Sequence, residues 1–150
     1  MAKMNEKQFH IDEIESIATI VVDLVSKSKQ SDRATIVELS GDLGAGKTTL
    51  VKSIAKQLGI EKTIQSPTFV ILKNYQLQNQ NFENMIHIDA YRLNKGEELQ
   101  KLQWDEYVKN PESVIFIEWP EQVVGLLPKD TIRVTLAHRS EHERTITIIQ

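Results

Sequence analysis

A chain of 150 residues, 40% hydrophobic and 26% charged, has the composition of one globular domain able to bury a core. Its net charge of −3 gives no global attraction to nucleic acid, and the lack of cysteine excludes disulfides and thiolate metal sites. No apolar run approaches the ~20 residues that span a bilayer, and the first dozen residues lack the apolar centre of a signal peptide, so a cytoplasmic location is the default expectation.

Asp12 followed by Glu15 reads as a capping box. Ile14, Ile17, Ala18, Val21, Leu24 and Val25 recur at helical spacing and predict an amphipathic helix over roughly 12–28. Residues 35–39 form a short β-favouring run that leads into a glycine-rich turn. A second helix is predicted from about 46 to 58, with Leu50, Val51, Ile54 and Leu58 inward and Gly59 as its stop signal. Residues 68–75 and 85–88 read as strands separated by the polar loop QLQNQNFEN. Asn94 with Glu97 opens a short helical region that continues through WDEYV, and 114–117 is the next strand. The tail alternates apolar and polar in TIRVTLA and again in TITIIQ, as a terminal antiparallel hairpin does. Strands interleaved with helices predict an α/β fold, a single domain over 1–150 with a mainly parallel central sheet flanked by helices.

The most informative run is Gly41-Asp-Leu-Gly44-Ala-Gly46-Lys47-Thr48-Thr49, which satisfies G-x-x-x-x-G-K-[ST] between a predicted strand and a predicted helix. This is the signature of the P-loop NTPase fold. Glycines let the backbone curl so that successive N–H groups face phosphate oxygens, and the helix N-terminus adds partial positive charge. The residues expected to bind nucleotide are Asp42, Leu43, Gly44, Ala45, Gly46, Lys47, Thr48 and Thr49. Lys47 would reach the β- and γ-phosphates, and the Thr48 hydroxyl would ligate Mg²⁺. The bland alternative, a chance glycine-rich turn, rarely meets all of these requirements with the correct flanks. A GTPase would carry N-K-x-D after an apolar strand; Asn94-Lys-Gly-Glu97 ends in the wrong acid and follows Tyr-Arg-Leu, so ATP is the expected nucleotide.

A phosphate loop also needs a strand-end acid for Mg²⁺. Two are available, in His87-Ile-Asp89-Ala-Tyr91-Arg92 and in Phe116-Ile-Glu118-Trp119. Ligands of open α/β sheets gather at the carboxyl ends of strands. Solvated strand ends are the competing account for either acid alone. His87 alternates with Ile86 and Ile88 and reads as a half-buried structural histidine, Arg92 as a structural pairing residue, and Trp119 as packing at the rim.

The series GDLGAGKTT, SPTF at 66–69, HIDAYRL at 87–93, EEL at 97–99 and IEWPE at 117–121, in this order, resembles the TsaE (YjeE) family. The resemblance runs from about residue 35 to 128, and the five-block series is far more specific than one P-loop. It implies a small ATPase of bacterial tRNA threonylcarbamoyladenosine (t6A) synthesis, acting on tRNAs that read codons beginning with A. It also implies a TsaB–TsaD pair as binding partner, with tRNA reached through that complex. By match, Asp89 and Glu118 would be the metal-site acids together with Thr48, and Glu118 and Lys47 would serve hydrolysis. Ser66-Pro67-Thr68 would form a switch-like loop on the γ-phosphate side, with Thr68 offering a hydroxyl to Mg²⁺ or phosphate; a plain strand-entry turn is the alternative. The family often carries a threonine in the first helix near the adenine, where Ser16 is the nearest hydroxyl here. Relatives commonly have a leucine-glycine pair where this chain has Leu102-Gln103.

Two other functional classes stay open at this point. A small-molecule kinase would close an arginine-bearing lid over its acceptor, yet only Arg133, Arg139 and Arg144 follow Glu118. A nucleotide-binding scaffold would never turn over. No residue stands out as an arginine finger, so hydrolysis by the isolated chain is expected to be weak.

Overall fold

The computed structural model describes residues 4–42, 44–60, 72–78, 81–93 and 96–150. The chain runs through β1 (Met4–His10), α1 (Ile14–Lys27), β2 (Thr35–Ser40), α2 (Lys47–Gln57), β3 (Leu72–Gln76) and β4 (Asn84–Asp89). It continues through α3 (Gly96–Gln100), α4 (Trp104–Val108), β5 (Ser113–Glu118), β6 (Ile132–His138) and β7 (Glu143–Ile149). The strands form one sheet of order β1-β7-β6-β2-β5-β4-β3. Its four central strands are parallel, whereas β3, β7 and β1 pair antiparallel at the two ends. The expected parallel centre and the antiparallel C-terminal hairpin, β6–β7, are both present, and the antiparallel edge strands β1 and β3 extend the sheet beyond them.

Both faces of the centre are apolar because both are covered. On one face, Val37, Leu39, Met85, Val114 and Phe116 pack with Ile17, Val21, Leu50 and Ile54 from α1 and α2. On the other, Ile36, Ile86, Ile88, Ile115 and Ile117 pack with Leu99 from α3 and Trp104 from α4. Strand side chains alternate between faces, so β5, covered on both, reads as the unbroken apolar run Val114–Ile117, whereas β6, exposed on one face, alternates apolar and polar. No helix among the described residues is long and apolar enough to cross a membrane.

Several sequence expectations need correction. β1 was not expected, because among residues 5–10 only Phe9 is buried, against the α1–α2 side. The helix entry is also displaced. The backbone N–H of Asp12 donates to His10 Nδ1 (3.1 Å), and that of His10 donates to Glu13 Oε1 (2.9 Å). The capping box is thus His10 with Glu13, and a 3₁₀ turn over Ile11–Glu13 precedes α1. The chain enters from a strand ending at His10, so the turn must begin there rather than at Asp12. In the polar loop after β3, Phe82 is a core residue, with the Lys29 ammonium 5.5 Å from its ring centre. The expected strand start at 68–71 and the cap at Asn94 lie outside the described residues.

The single helical region expected near WDEYV is two helices. Gln103 sits between them at φ 66°, in the left-handed region, where a Cβ costs roughly 1–2 kcal/mol relative to ordinary helical backbone. Glycine adopts this conformation without that cost but loses ~0.5–1 kcal/mol of chain entropy. Gln103→Gly is expected to leave stability unchanged or raise it by up to about 1.5 kcal/mol. Thermal unfolding monitored by circular dichroism checks this, and a fall in Tm would show that the glutamine side chain contributes more than its backbone costs.

Candidate active site

The site is assembled at the carboxyl ends of β2, β4 and β5. Parallel pairing places Leu39 opposite Glu118 and Glu118 opposite Asp89, so three strands finish at one level. Beyond the last ladder pairs, Ala90 N–H donates to the Glu118 carbonyl (3.0 Å) and Trp119 N–H to the Leu39 carbonyl (3.3 Å), which fixes where each chain leaves the sheet.

β2 leads directly into the glycine-rich turn. Gly41 has φ 139°, and a Cβ there would collide with the Leu136 carbonyl of β6, so only glycine lets the turn start this close to the neighbouring strand. Ala45 N–H donates to the Asp42 carbonyl (3.1 Å), closing the turn, and Ala45 is buried. Gly46, at φ 102°, is the residue from which α2 begins, and a Cβ on it would meet no atom within 4 Å. The turn is therefore tight at its root and open on the side that precedes the helix. Leu43 lies outside the described residues, and Thr49 is exposed on the first turn of α2.

Lys47 is 95% buried at the base of this turn, at 5% relative exposure. Its Nζ donates to the Gly41 carbonyl and to the Asp42 carbonyl (3.1 Å), and it lies 4.2 Å from the centre of the Trp119 ring. Burial pushes the ammonium below its ordinary pKa, against the opposing fields of Glu118, Glu121, Asp42 and Asp89. Trp119 turns toward it because its own backbone is left-handed, at φ 60°, before Pro120 opens a 3₁₀ turn. A bulky residue held there costs of order 1–3 kcal/mol, a strain that clusters at functional sites. Tyr91 meets the same ring at 5.0 Å. The rim tryptophan of the sequence reading is thus a direct neighbour of the lysine.

Glu118 is the centre of the acidic part. Thr48 Oγ1 donates to its Oε1 (3.2 Å), and His87 Nε2 lies 2.6 Å from its Oε2. Glu118 is buried and His87 fully so, at 0% exposure, which corrects the half-buried reading. His87 and Asp89 are two residues apart on β4 and so share a face, the one Glu118 also occupies; that parity was the available signal. Asp89 accepts from the Tyr91 N–H at Oδ1 (3.0 Å). Its carboxyl is held above the ordinary range, first by burial and then by the Glu118 charge. The tyrosine hydrogen bond, His87 and Lys47 act in the opposite direction.

Lys47, Thr48, Asp89 and Glu118 are therefore brought together. Ser16 is exposed on α1, and no hydrogen bond among the described residues joins it to the turn. Ser66, Pro67 and Thr68 lie outside the described residues. Sequence reasoning did not anticipate Glu38, a buried acid on β2 that accepts from the Thr131 hydroxyl, with Arg133 Nε 3.7 Å away on β6. It lies on the opposite face from Glu118 and is not part of the strand-end cluster.

The model of the family described as threonylcarbamoyl adenosine biosynthesis protein TsaE matches residues 11–146. The tRNA threonylcarbamoyladenosine biosynthesis protein TsaE of Bacillus subtilis is 37% identical over 112 residues, 75% of this chain and 67% of that protein. The Haemophilus influenzae protein of the same name is 34% identical over 119 residues, 79% of this chain and 72% of its own length. Among solved structures, Bacillus subtilis YdiB superposes with a TM-score of 0.74 at 27% identity, covering 99% of this chain and 86% of that one. A family match across nearly the whole sheet, with relatives above one-third identity, leads to one conclusion: the chain belongs to the TsaE family.

Proposed function

We propose that this chain is a Mg²⁺-dependent ATPase that acts with TsaB and TsaD homologues in forming threonylcarbamoyladenosine on tRNA. One observation carries the catalytic part: the Thr48 hydroxyl, at the start of α2 beneath the glycine-rich turn, is hydrogen bonded to the strand-end acid Glu118. The pathway part rests on the names of the relatives.

In this reading the N–H groups of residues 42–49 and the Lys47 ammonium bind the phosphates. The open side of the turn at Gly44 and Gly46 supports that, since a side chain there would meet no protein atom within 4 Å. Thr48, Asp89 and Glu118 supply only oxygen donors, the kind a hard cation takes, and these residues would hold Mg²⁺. Bound there, Mg²⁺ would offset the charge that develops on the transferred phosphoryl oxygens. Glu118 orients the attacking water and accepts its proton. Lys47 must leave the Gly41 and Asp42 carbonyls to engage phosphate, so nucleotide entry is coupled to a rearrangement of the turn. Ser16 is assigned to the adenine side and Thr68 to the γ-phosphate side. The segment around Thr68 acts as the switch, held by ATP and released on hydrolysis. TsaB and TsaD read that state, and tRNA is contacted through them. A net charge of −3 argues against extensive phosphate-backbone contact by this chain alone.

ATP turnover is expected to be slow for the isolated chain and to rise when the TsaB and TsaD homologues and tRNA are added. Absence of any rise with all three would remove the pathway assignment. Transfer of labelled phosphate to an organic acceptor rather than to water would instead favour a kinase.

Lys47→Ala should abolish ATP binding measured by calorimetry, and Thr48→Ala should remove the Mg²⁺-dependent part of the affinity. Glu118→Gln should retain binding and lose about 100-fold or more in kcat. Wild-type turnover in that variant would take Glu118 out of catalysis.

Asp89 gives a pH-dependent prediction. Its pKa is raised in the folded protein, so the stability it contributes is present below its unfolded pKa and is lost as pH rises through the folded value. Without divalent cations, Asp89→Asn should raise Tm near neutral pH, and the gain should vanish in acid, where the wild-type side chain is neutral in both states. Differential scanning calorimetry across pH checks the sign. The same variant should lower turnover.

A further inference from the structure

Glu118 is held at both oxygens by two different elements, Thr48 on α2 at Oε1 (3.2 Å) and His87 on β4 at Oε2 (2.6 Å). We infer that His87 is a positioning residue for ATP hydrolysis, the fixed anchor that keeps the Glu118 carboxylate oriented when the Thr48 hydroxyl turns to other partners. This rests on the reading of Glu118 as the acid of ATP hydrolysis.

Three observations carry the inference. First, His87 is fully buried, and its flanking buried positions on β4 are Met85, Ile86 and Ile88. An imidazole among such residues costs free energy that an aliphatic side chain would not, so it needs a partner to offset that cost. Second, Glu118 is that partner, because His87 Nδ1 has no hydrogen-bond partner among the described residues. An ionised carboxylate only accepts, so Nε2 carries the proton of this hydrogen bond. Third, the two anchors differ in their freedom. Thr48 stands at the mouth of the glycine-rich turn and is partly exposed, and phosphate-bound ligands would compete for its hydroxyl. His87 comes from a central strand, with register partners Lys73 on β3 and Phe116 on β5 on its two sides. The strand holds its ring in place whatever happens at the turn. With one oxygen pinned by Nε2–H, the second stays aimed at the Thr48 side, where the reacting phosphate would lie.

The test compares wild type, His87→Met and His87→Gln, each also in the Glu118→Gln background, for ATP affinity and single-turnover hydrolysis. His87→Met fills the space without a donor and should lower kcat by about tenfold or more, since small misplacements of a reacting group cost that much, while Kd for ATP changes by less than about threefold. His87→Gln places an amide N–H2 at similar reach and should restore most of the lost rate. Neither change should lower the residual rate of Glu118→Gln, because the group to be positioned is already gone. An unchanged kcat in His87→Met, or an equal loss in the Glu118→Gln background, would overturn the inference.

Proton and nitrogen NMR of the wild-type imidazole gives an arm that needs neither turnover nor a folded His87 variant. It should show a proton on Nε2 that moves upfield in Glu118→Gln; no such proton, or one indifferent to that change, overturns the inference equally. A wild-type chain that does not hydrolyse ATP at all would defeat the proposed function, and the NMR arm would then decide the role of His87 alone.

Discussion

The register of β2, β5 and β4 is the constraint on which the site depends. Leu39, Glu118 and Asp89 stand side by side because Thr35 pairs with Val114 and Asn84 with Ser113, and every later pair follows. A slip of one residue in β5 would send Glu118 to the Trp104 face and leave Thr48 and His87 without it. Burial alone guards poorly against such a slip, since both faces of these strands are apolar. Shape distinguishes them in part: Met85 and Phe116 fill the α1–α2 side, and isoleucines fill the other. The buried polar contacts distinguish them more sharply, because Glu118 finds its donors on one face only. The bonds that would serve chemistry therefore also specify the strand alignment.

The charges at this centre are not arranged for stability. Lys47 is pushed toward neutrality by burial and Asp89 toward protonation, each held in a setting that disfavours its ionised form. Lys47 is satisfied by carbonyls of its own turn and by the Trp119 face. An anion that takes the ammonium must replace all three of these contacts. Trp119 adds backbone strain at the same place. Perturbed groups and a strained residue gathered at strand ends are a pattern more common at functional sites than among solvated acids.

Much of this was legible in the sequence because the signals are local. The glycine spacing from Gly41 to Gly46, the helical period of α1 and α2 and the two strand-terminal acids need no knowledge of distant contacts. What was not legible depends on pairing at long range. β1 reads as polar because Phe9 alone is buried among residues 5–10, and its partner β7 lies far away in sequence. Phe82 sits in a run of amides and becomes core only where Lys29 and Glu112 converge on its loop, the lysine reaching the Asn81 carbonyl at 2.5 Å and the Glu112 carboxylate at 2.9 Å. Gln103 does not itself announce a left-handed backbone, as a glycine would; the pointer was that the resembled family commonly has glycine at this place. His87 was misjudged for a related reason. Its neighbours suggested an alternating, half-covered strand, but β4 lies between β3 and β5 with helices over it, so the histidine had no solvent to face.

The pairing of Met4 with Ile149 has a consequence for how the molecule forms. The β6–β7 hairpin closes through a few residues and can form early, and it offers an open edge. Bringing β1 to that edge closes a ring of nearly the whole chain, the largest loop-closure entropy of any strand pair in this sheet. By that cost, the β1–β7 pairing is the contact that gains most from a sheet whose middle is already formed.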